Sequence, residues 1–223
     1  MRAWIRHPSV PYVLPFVAFV ALLGLVPLLD PGPRMDQVLR LGIVGALVLL
    51  VSRPVLDLRA PAWLASIGVG VLVFMVWIAP DLLFPGYRES ALFSNGIVGR
   101  PDGSFPEAGR TDPVALALRV LRAAVLVPVV EELFWRGWLP RWIINTDFRQ
   151  VPLGTYSPAA FWITAALFAV EHGSWWDVGL AAGVIYNAWM WRTRSLGDCI
   201  LAHAVTNACL SAYVILFGEW RYW

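Results

Sequence analysis

Residues 126–142 read LVPVVEELFWRGWLPRW, and the fold is decided by how two neighbouring acids are accommodated there. Glu131 and Glu132 interrupt a run that is otherwise apolar enough for a bilayer. An ionised side chain at membrane mid-depth costs about 2.5–3.5 kcal/mol on insertion scales, so two in succession need partners or a purpose. At about 100° per residue, Glu132 and Arg136 share a helix face and can pair, whereas Glu131 points elsewhere. Pro128 removes a backbone hydrogen bond just upstream, which predicts a kink where water could reach Glu131. The plainer alternative is an ion-pair cluster that only packs helices together. Ionisable residues inside a membrane are functional candidates by default, and that favours the first reading.

Outward from this stretch the chain alternates apolar runs with short polar joints. Spans are expected at 11–29, 38–52 and 62–80, then at 157–172, 176–192 and 196–218. The segment 113–144 is too long for one simple crossing, and Pro128 and Pro140 interrupt it. It reads as a kinked helix whose Arg- and Trp-rich end lies in the membrane interface. Residues 81–112 break the apolar pattern with glycine, proline and mixed charge. They read as a long loop, solvated in preference to lid-like. The first apolar run is longer than a signal-peptide core and is taken as a retained span. Arginines near alternate span ends, beginning with Arg2 and Arg6, modestly favour an N-terminus in the cytoplasm.

Composition agrees. The 223 residues are 59% hydrophobic and only 14% charged, with a mean hydropathy of +0.65, which suits a polytopic membrane protein and not a soluble domain. All 17 basic residues are arginine and the net charge is +2, which gives no footprint for nucleic acid. Several of the 13 tryptophans, among them Trp4, Trp63, Trp77, Trp142, Trp175 and Trp176, fall near span ends, as an aromatic belt requires. Cys199 and Cys209 are too far apart along one helix to bridge, and no zinc-finger spacing is present.

Two of the three histidines lie in the C-terminal spans. Phe168 and His172 are one helical turn apart in FAVEH, as are His203 and Asn207 in HAVTN. Together with Glu131 they supply what amide hydrolysis needs: Glu131 as base toward water, His172 sharing that water or protonating the leaving amine, and His203 with Asn207 as donors to the oxyanion. No HExxH helix and no G-x-S-x-G elbow is present. A His₂Glu zinc site built from Glu131, His172 and His203 stays open. Gly179 and Gly183 predict close helix packing, and Asn187 a bridge between helices.

The ordered set Glu131-Glu132-x-x-x-Arg136, Phe168-x-x-x-His172 and His203-x-x-x-Asn207 resembles the CPBP family. These are the type II CAAX prenyl endopeptidases and the bacteriocin-processing, or Abi, intramembrane proteases. The lead-in GLAAGVIYNAWMWRTRSLGDCILAHAVTNA resembles them as well. The likeness covers about residues 125–215; the first hundred residues show nothing specific. It implies an all-α, polytopic transmembrane helical bundle of about seven to eight spans, with N-terminal spans and the long loop in 1–112 and the catalytic helical core in 113–223. It further implies a glutamate protease working without a cofactor, with Glu131, His172, His203 and Asn207 catalytic and Glu132, Arg136 and Phe168 supporting. Its partners would be the lipid bilayer and a membrane-associated peptide or protein, in the cytoplasmic membrane. The rivals are a zinc protease on the same fold and a non-enzymatic scaffold or immunity protein.

Overall fold

The computed structural model describes residues 7–223, so Arg2, Trp4 and Arg6 lie outside the described residues. Seven long helices account for most of the chain: α1 Val10–Leu29, α2 Gly32–Val55, α3 Trp63–Leu83, α4 Pro113–Ile144, α5 Pro158–Glu171, α6 Trp176–Thr193 and α7 Leu196–Phe217. There is no strand among the described residues, only one antiparallel bridge between Asn95 and Gly99. Each helix begins or ends where the sequence supplies a reason. Asp112 caps α4 by accepting from the amides of Val114 (3.0 Å) and Ala115 (3.3 Å), with Pro113 preset for the first turn. Ser195 caps α7 through the Asp198 amide.

Five of the seven, α1–α4 and α7, are long and apolar enough to cross a membrane. This is fewer than the seven to eight spans that the sequence suggests, and the reason is physical. Helix α5 has 14 residues and rises only about 21 Å, short of a hydrocarbon core of about 30 Å. Helix α6 carries Asp177, Asn187 and Arg192. These five helices turn large apolar side chains outward, such as Leu50 on α2 and Leu64 on α3, a surface better suited to lipid than to water.

Small residues set the close approaches. A Cβ on Gly70 of α3 would stand 2.4 Å from the Ala202 carbonyl oxygen of α7, so only glycine permits this helix pair. At the Gly179/Gly183 ledge of α6, a Cβ would meet Ala169 Cα at 3.3 Å and Ala165 Cα at 3.2 Å across α5. That is the tight packing expected of the pair.

Helix α4 departs from ideal geometry twice. Widened π turns occupy Arg122–Leu126 and Leu133–Trp138, each close before a proline, Pro128 or Pro140, that cannot donate its backbone hydrogen bond. The second turn itself is packed against protein. Trp135, Arg136, Gly137 and Leu139 are buried, with Phe134 stacked on Phe16 of α1 at 4.1 Å and Trp138 Nε1 donating to Ser9 Oγ at 2.9 Å. Past this turn Trp142 and Ile144 are exposed.

Most residues of the loop before α4 are exposed, but the loop is pinned at Arg88 and Phe105. Arg88 donates to Asp177 Oδ1 (2.8 Å), to the Ser174 carbonyl (2.9 Å) and to Asp81 (3.2 Å), with Trp175 beneath it at 4.0 Å. Phe105 and Trp223 pack edge to face at 5.5 Å, which brings the chain's last turn over the same end of the bundle.

Candidate active site

The two glutamates of α4 meet different fates. Glu132 and Arg136 are four apart and fully enclosed, with Arg136 NH1 donating to Glu132 Oε1 at 3.0 Å. The same Oε1 accepts from His203 Nδ1 of α7 at 2.9 Å. Arg136 Nε reaches Asn187 Oδ1 of α6 at 3.2 Å, and Asn187 Nδ2 donates to the Phe161 carbonyl of α5 at 2.8 Å. One carboxylate oxygen thus joins α4 to α7, and its arginine extends the network to α6 and α5. Asn187 makes the bridge between helices that its position suggests.

Glu131 is buried but stays outside this network. Its Oε2 has no hydrogen-bond partner among the described residues and lies 4.0 Å from His203 Nε2, too far for a direct bond and close enough for a small shift or an interposed water. The imidazole of His203 is therefore held at one nitrogen by Glu132 and turned with the other toward Glu131.

His172 ends α5. Its Nδ1 is 2.7 Å from the Phe168 carbonyl, and since a carbonyl only accepts, Nδ1 carries the hydrogen and the Nε2 of the neutral ring keeps a lone pair. Phe168 and Trp77 fix the ring, at 4.6 and 5.2 Å between centroids. Phe168 is itself fully buried with the Arg136 guanidinium 4.5 Å from its ring centre. Asn207, one turn beyond His203, donates from Nδ2 to the Ala123 carbonyl of α4 at 2.8 Å. One of its amide hydrogens is thereby used, and a second remains.

Glu131, His172, His203 and Asn207, from α4, the end of α5 and α7, line one cavity of about 260 Å³, together with Phe168. Glu132 and Arg136 stand behind its wall. Among the described residues no three His, Cys, Asp or Glu side chains are grouped to hold a metal ion.

Further residues in and around the cavity do not appear among the candidates that the sequence offers. Tyr186 of α6 stacks on His203 at 5.2 Å and donates from its hydroxyl to Thr206 Oγ1 at 2.7 Å; nothing local in the sequence marks it. Trp135 Nε1 donates to Glu171 Oε2 at 3.0 Å, tying the residue before His172 to α4. Ser211 is buried, lines the cavity and has a hydroxyl without a hydrogen-bond partner. Its signal was present, because 203, 207 and 211 repeat at four-residue spacing on one face of α7.

Residues 113–209 match the family model described as Type II CAAX prenyl endopeptidase Rce1-like. The matched stretch starts with α4 and contains Glu131, Glu132, Arg136, Phe168, His172, Asn187, His203 and Asn207, while Trp77 of α3 and Ser211 lie outside it. No curated protein and no solved structure matches the chain.

Proposed function

We propose that this chain, whose residues 113–209 match the family model described as Type II CAAX prenyl endopeptidase Rce1-like, is a metal-independent glutamate protease of that family. Its substrate would be a membrane-associated peptide or protein in a cytoplasmic membrane. The observation that carries the reading is the shared cavity of Glu131, His172, His203 and Asn207. Glu131 takes a proton from a water molecule in that cavity as the water oxygen attacks the scissile carbonyl carbon. His172, with its Nε2 lone pair, accepts a hydrogen bond from the same water and so aligns it. The carbonyl π electrons pass to oxygen, and the resulting oxyanion is met by the second Asn207 amide hydrogen and by His203. When the C–N bond breaks, its electron pair stays on nitrogen and the proton held by Glu131 passes to that leaving amine.

The neighbours have electrostatic duties. A His203 that donates from Nδ1 to Glu132 offers an Nε2–H to the oxyanion only when both nitrogens are protonated. Glu132 then supplies the counter-charge, and Arg136, donating to the same carboxylate, holds it in place. Oxyanion donors are typically worth about 10²–10³ in rate and a general base about 10²–10⁴.

The test is cleavage of lipidated-cysteine peptides by purified protein, read by mass spectrometry, for the native chain, Glu131→Gln and His172→Ala. Both variants should fold and lose the products. Products that persist in folded Glu131→Gln refute the role of Glu131, and activity lost on chelation and restored by zinc refutes metal independence.

A further inference from the structure

A small cavity of about 30 Å³ lies where the end of α4, the start of α5 and the last turns of α6 meet. Arg136 and Arg141 both line it. Arg136 is 1% exposed. It gives Nη1 to Glu132 and Nε to Asn187, and its Nη2 is buried with no hydrogen-bond partner among the described residues. The Nη2 of Arg141 is in the same condition, while its Nε donates to the Gly137 carbonyl. The rings of Tyr12 and Phe148 flank this second guanidinium at 5.4 and 5.0 Å and hold it in place without neutralising it.

No aspartate or glutamate lines the cavity. Glu132 is the counter-charge of Arg136 and is shared with His203. Asp147, the acid nearest Arg141 along the chain, accepts instead from Arg149 at 3.1 Å and from Gln150 at 2.9 Å. A guanidinium stays protonated at any ordinary pH, so two of them face this space with one acid between them.

The start of α5 faces the same space, through Ser157 and Ala160. The first bond of this 14-residue helix runs from the Phe161 amide to the Ser157 carbonyl at 2.9 Å. The amides of Ala159 and Ala160 come before it and have no helical carbonyl to donate to. A serine at the N-cap ordinarily accepts from such amides; the Ser157 side chain makes no cap bond. The partial positive charge of a helix N-terminus thus adds to the two arginines, and donors converge with no acceptor among them.

We infer that this cavity is an anion site, which takes a phosphate-like oxyanion on the Nη2 groups of Arg136 and Arg141 and on the first-turn amides of α5. Its volume suits one small anion, or the oxygens of a phosphate entering from the mouth. Guanidinium nitrogens recognise a tetrahedral oxyanion through charge-assisted bonds of this kind. Tyr156 and Trp191 also line the cavity, 49% and 53% exposed, with rings 5.2 Å apart, the side chains that membrane interfaces favour. A phospholipid headgroup and free phosphate share the chemistry required. The inference makes no use of the proteolytic reading and is tested without a substrate.

The experiment uses the full chain purified in phosphate-free dodecyl maltoside. Inorganic phosphate is titrated against chloride at equal ionic strength while the thermal midpoint is followed, and retention of added phosphatidylglycerol is read by native mass spectrometry. The native chain should bind one of these probes saturably, and Arg141→Gln should weaken that binding about tenfold or more. Ser157→Asp places a carboxylate at the N-cap, where it competes for the same amides and arginines. It should raise the midpoint without any anion and abolish the response, an outcome that a merely damaged fold cannot give. Stabilisation by inorganic phosphate assigns the site to the free ion, and retention of phosphatidylglycerol with no response to inorganic phosphate assigns it to the lipid; either supports the site if both variants lose it. A native chain that binds neither probe overturns the inference, and so does a response that Arg141→Gln or Ser157→Asp leaves unchanged.

Discussion

Arg88 and Arg122 are buried almost equally, yet they sit in opposite kinds of surroundings. Arg88 reaches Asp81, Asp177 and the Ser174 carbonyl and rests on Trp175; Arg122 has no hydrogen bond recorded to any described residue at two of its nitrogens. The same contrast divides the adjacent acids of α4. Glu132 shares one oxygen between Arg136 and His203, and Glu131 looks into a cavity with an oxygen unpaired. In each pair one charge is neutralised within the fold and the other is left open at a cavity wall.

Substituting the members of each pair should break them in different currencies. The largest effect expected is on Glu131→Gln: a fall of about 10²–10⁴ in cleavage rate with the melting curve in detergent unchanged. Glu132→Ala should do the reverse first. It strands Arg136 and His203 in the interior, a loss of about 3–5 kcal/mol of stability, read as a large drop in the thermal midpoint. A Glu132→Ala protein as stable as the native chain would erase the distinction between the two acids.

Smaller effects sharpen it. Tyr186→Phe removes the donor to Thr206 and keeps the ring stacked on His203, so about 0.5–1.5 kcal/mol of stability should go while cleavage per folded molecule holds. A cleavage loss beyond tenfold would place the hydroxyl in the chemistry. The smallest effect lies outside the membrane at Asp112. The Arg34 guanidinium beside it, with help from the capped amides of Ala115 and Val114, holds its carboxyl below the ordinary aspartate range. A depressed value in the folded state means that the stabilisation is complete above the unfolded value near 3.8 and is lost as pH falls through the folded one. The gap in midpoint between the native chain and Asp112→Asn should therefore be steady at pH 5–7 and close below pH 4.

The sequence carried the helices well, because prolines, glycines and charges punctuate them. Pro113 and Asp112 mark the start of α4, and the expected 176–192 and 196–218 fall within a residue or so of α6 and α7. It carried one-turn relationships too: Glu132 with Arg136, and the Phe168 ring against His172. What it did not carry were contacts between distant segments. Nothing near Asn207 announces the Ala123 carbonyl, nothing near Tyr186 announces Thr206 as a partner, and Arg88 reads as an ordinary loop arginine until Asp177 of α6 and Trp175, just before it, arrive. Arg122 was visible only as a charge near the start of a long helix. Its isolation depends on what α1 and α2 fail to bring, and no local pattern records a missing partner.

The widened turn at Arg122–Leu126 has a bearing on how α4 could change. Such a turn accommodates one residue more than a regular one, so everything beyond it is rotated by roughly 100° relative to an unbroken helix. Glu131 faces the histidines in that rotated frame. Removing a single residue from the bulge would leave composition and hydropathy almost untouched and still swing the acid about a quarter circle out of alignment, so spacing here is as tightly held as chemistry.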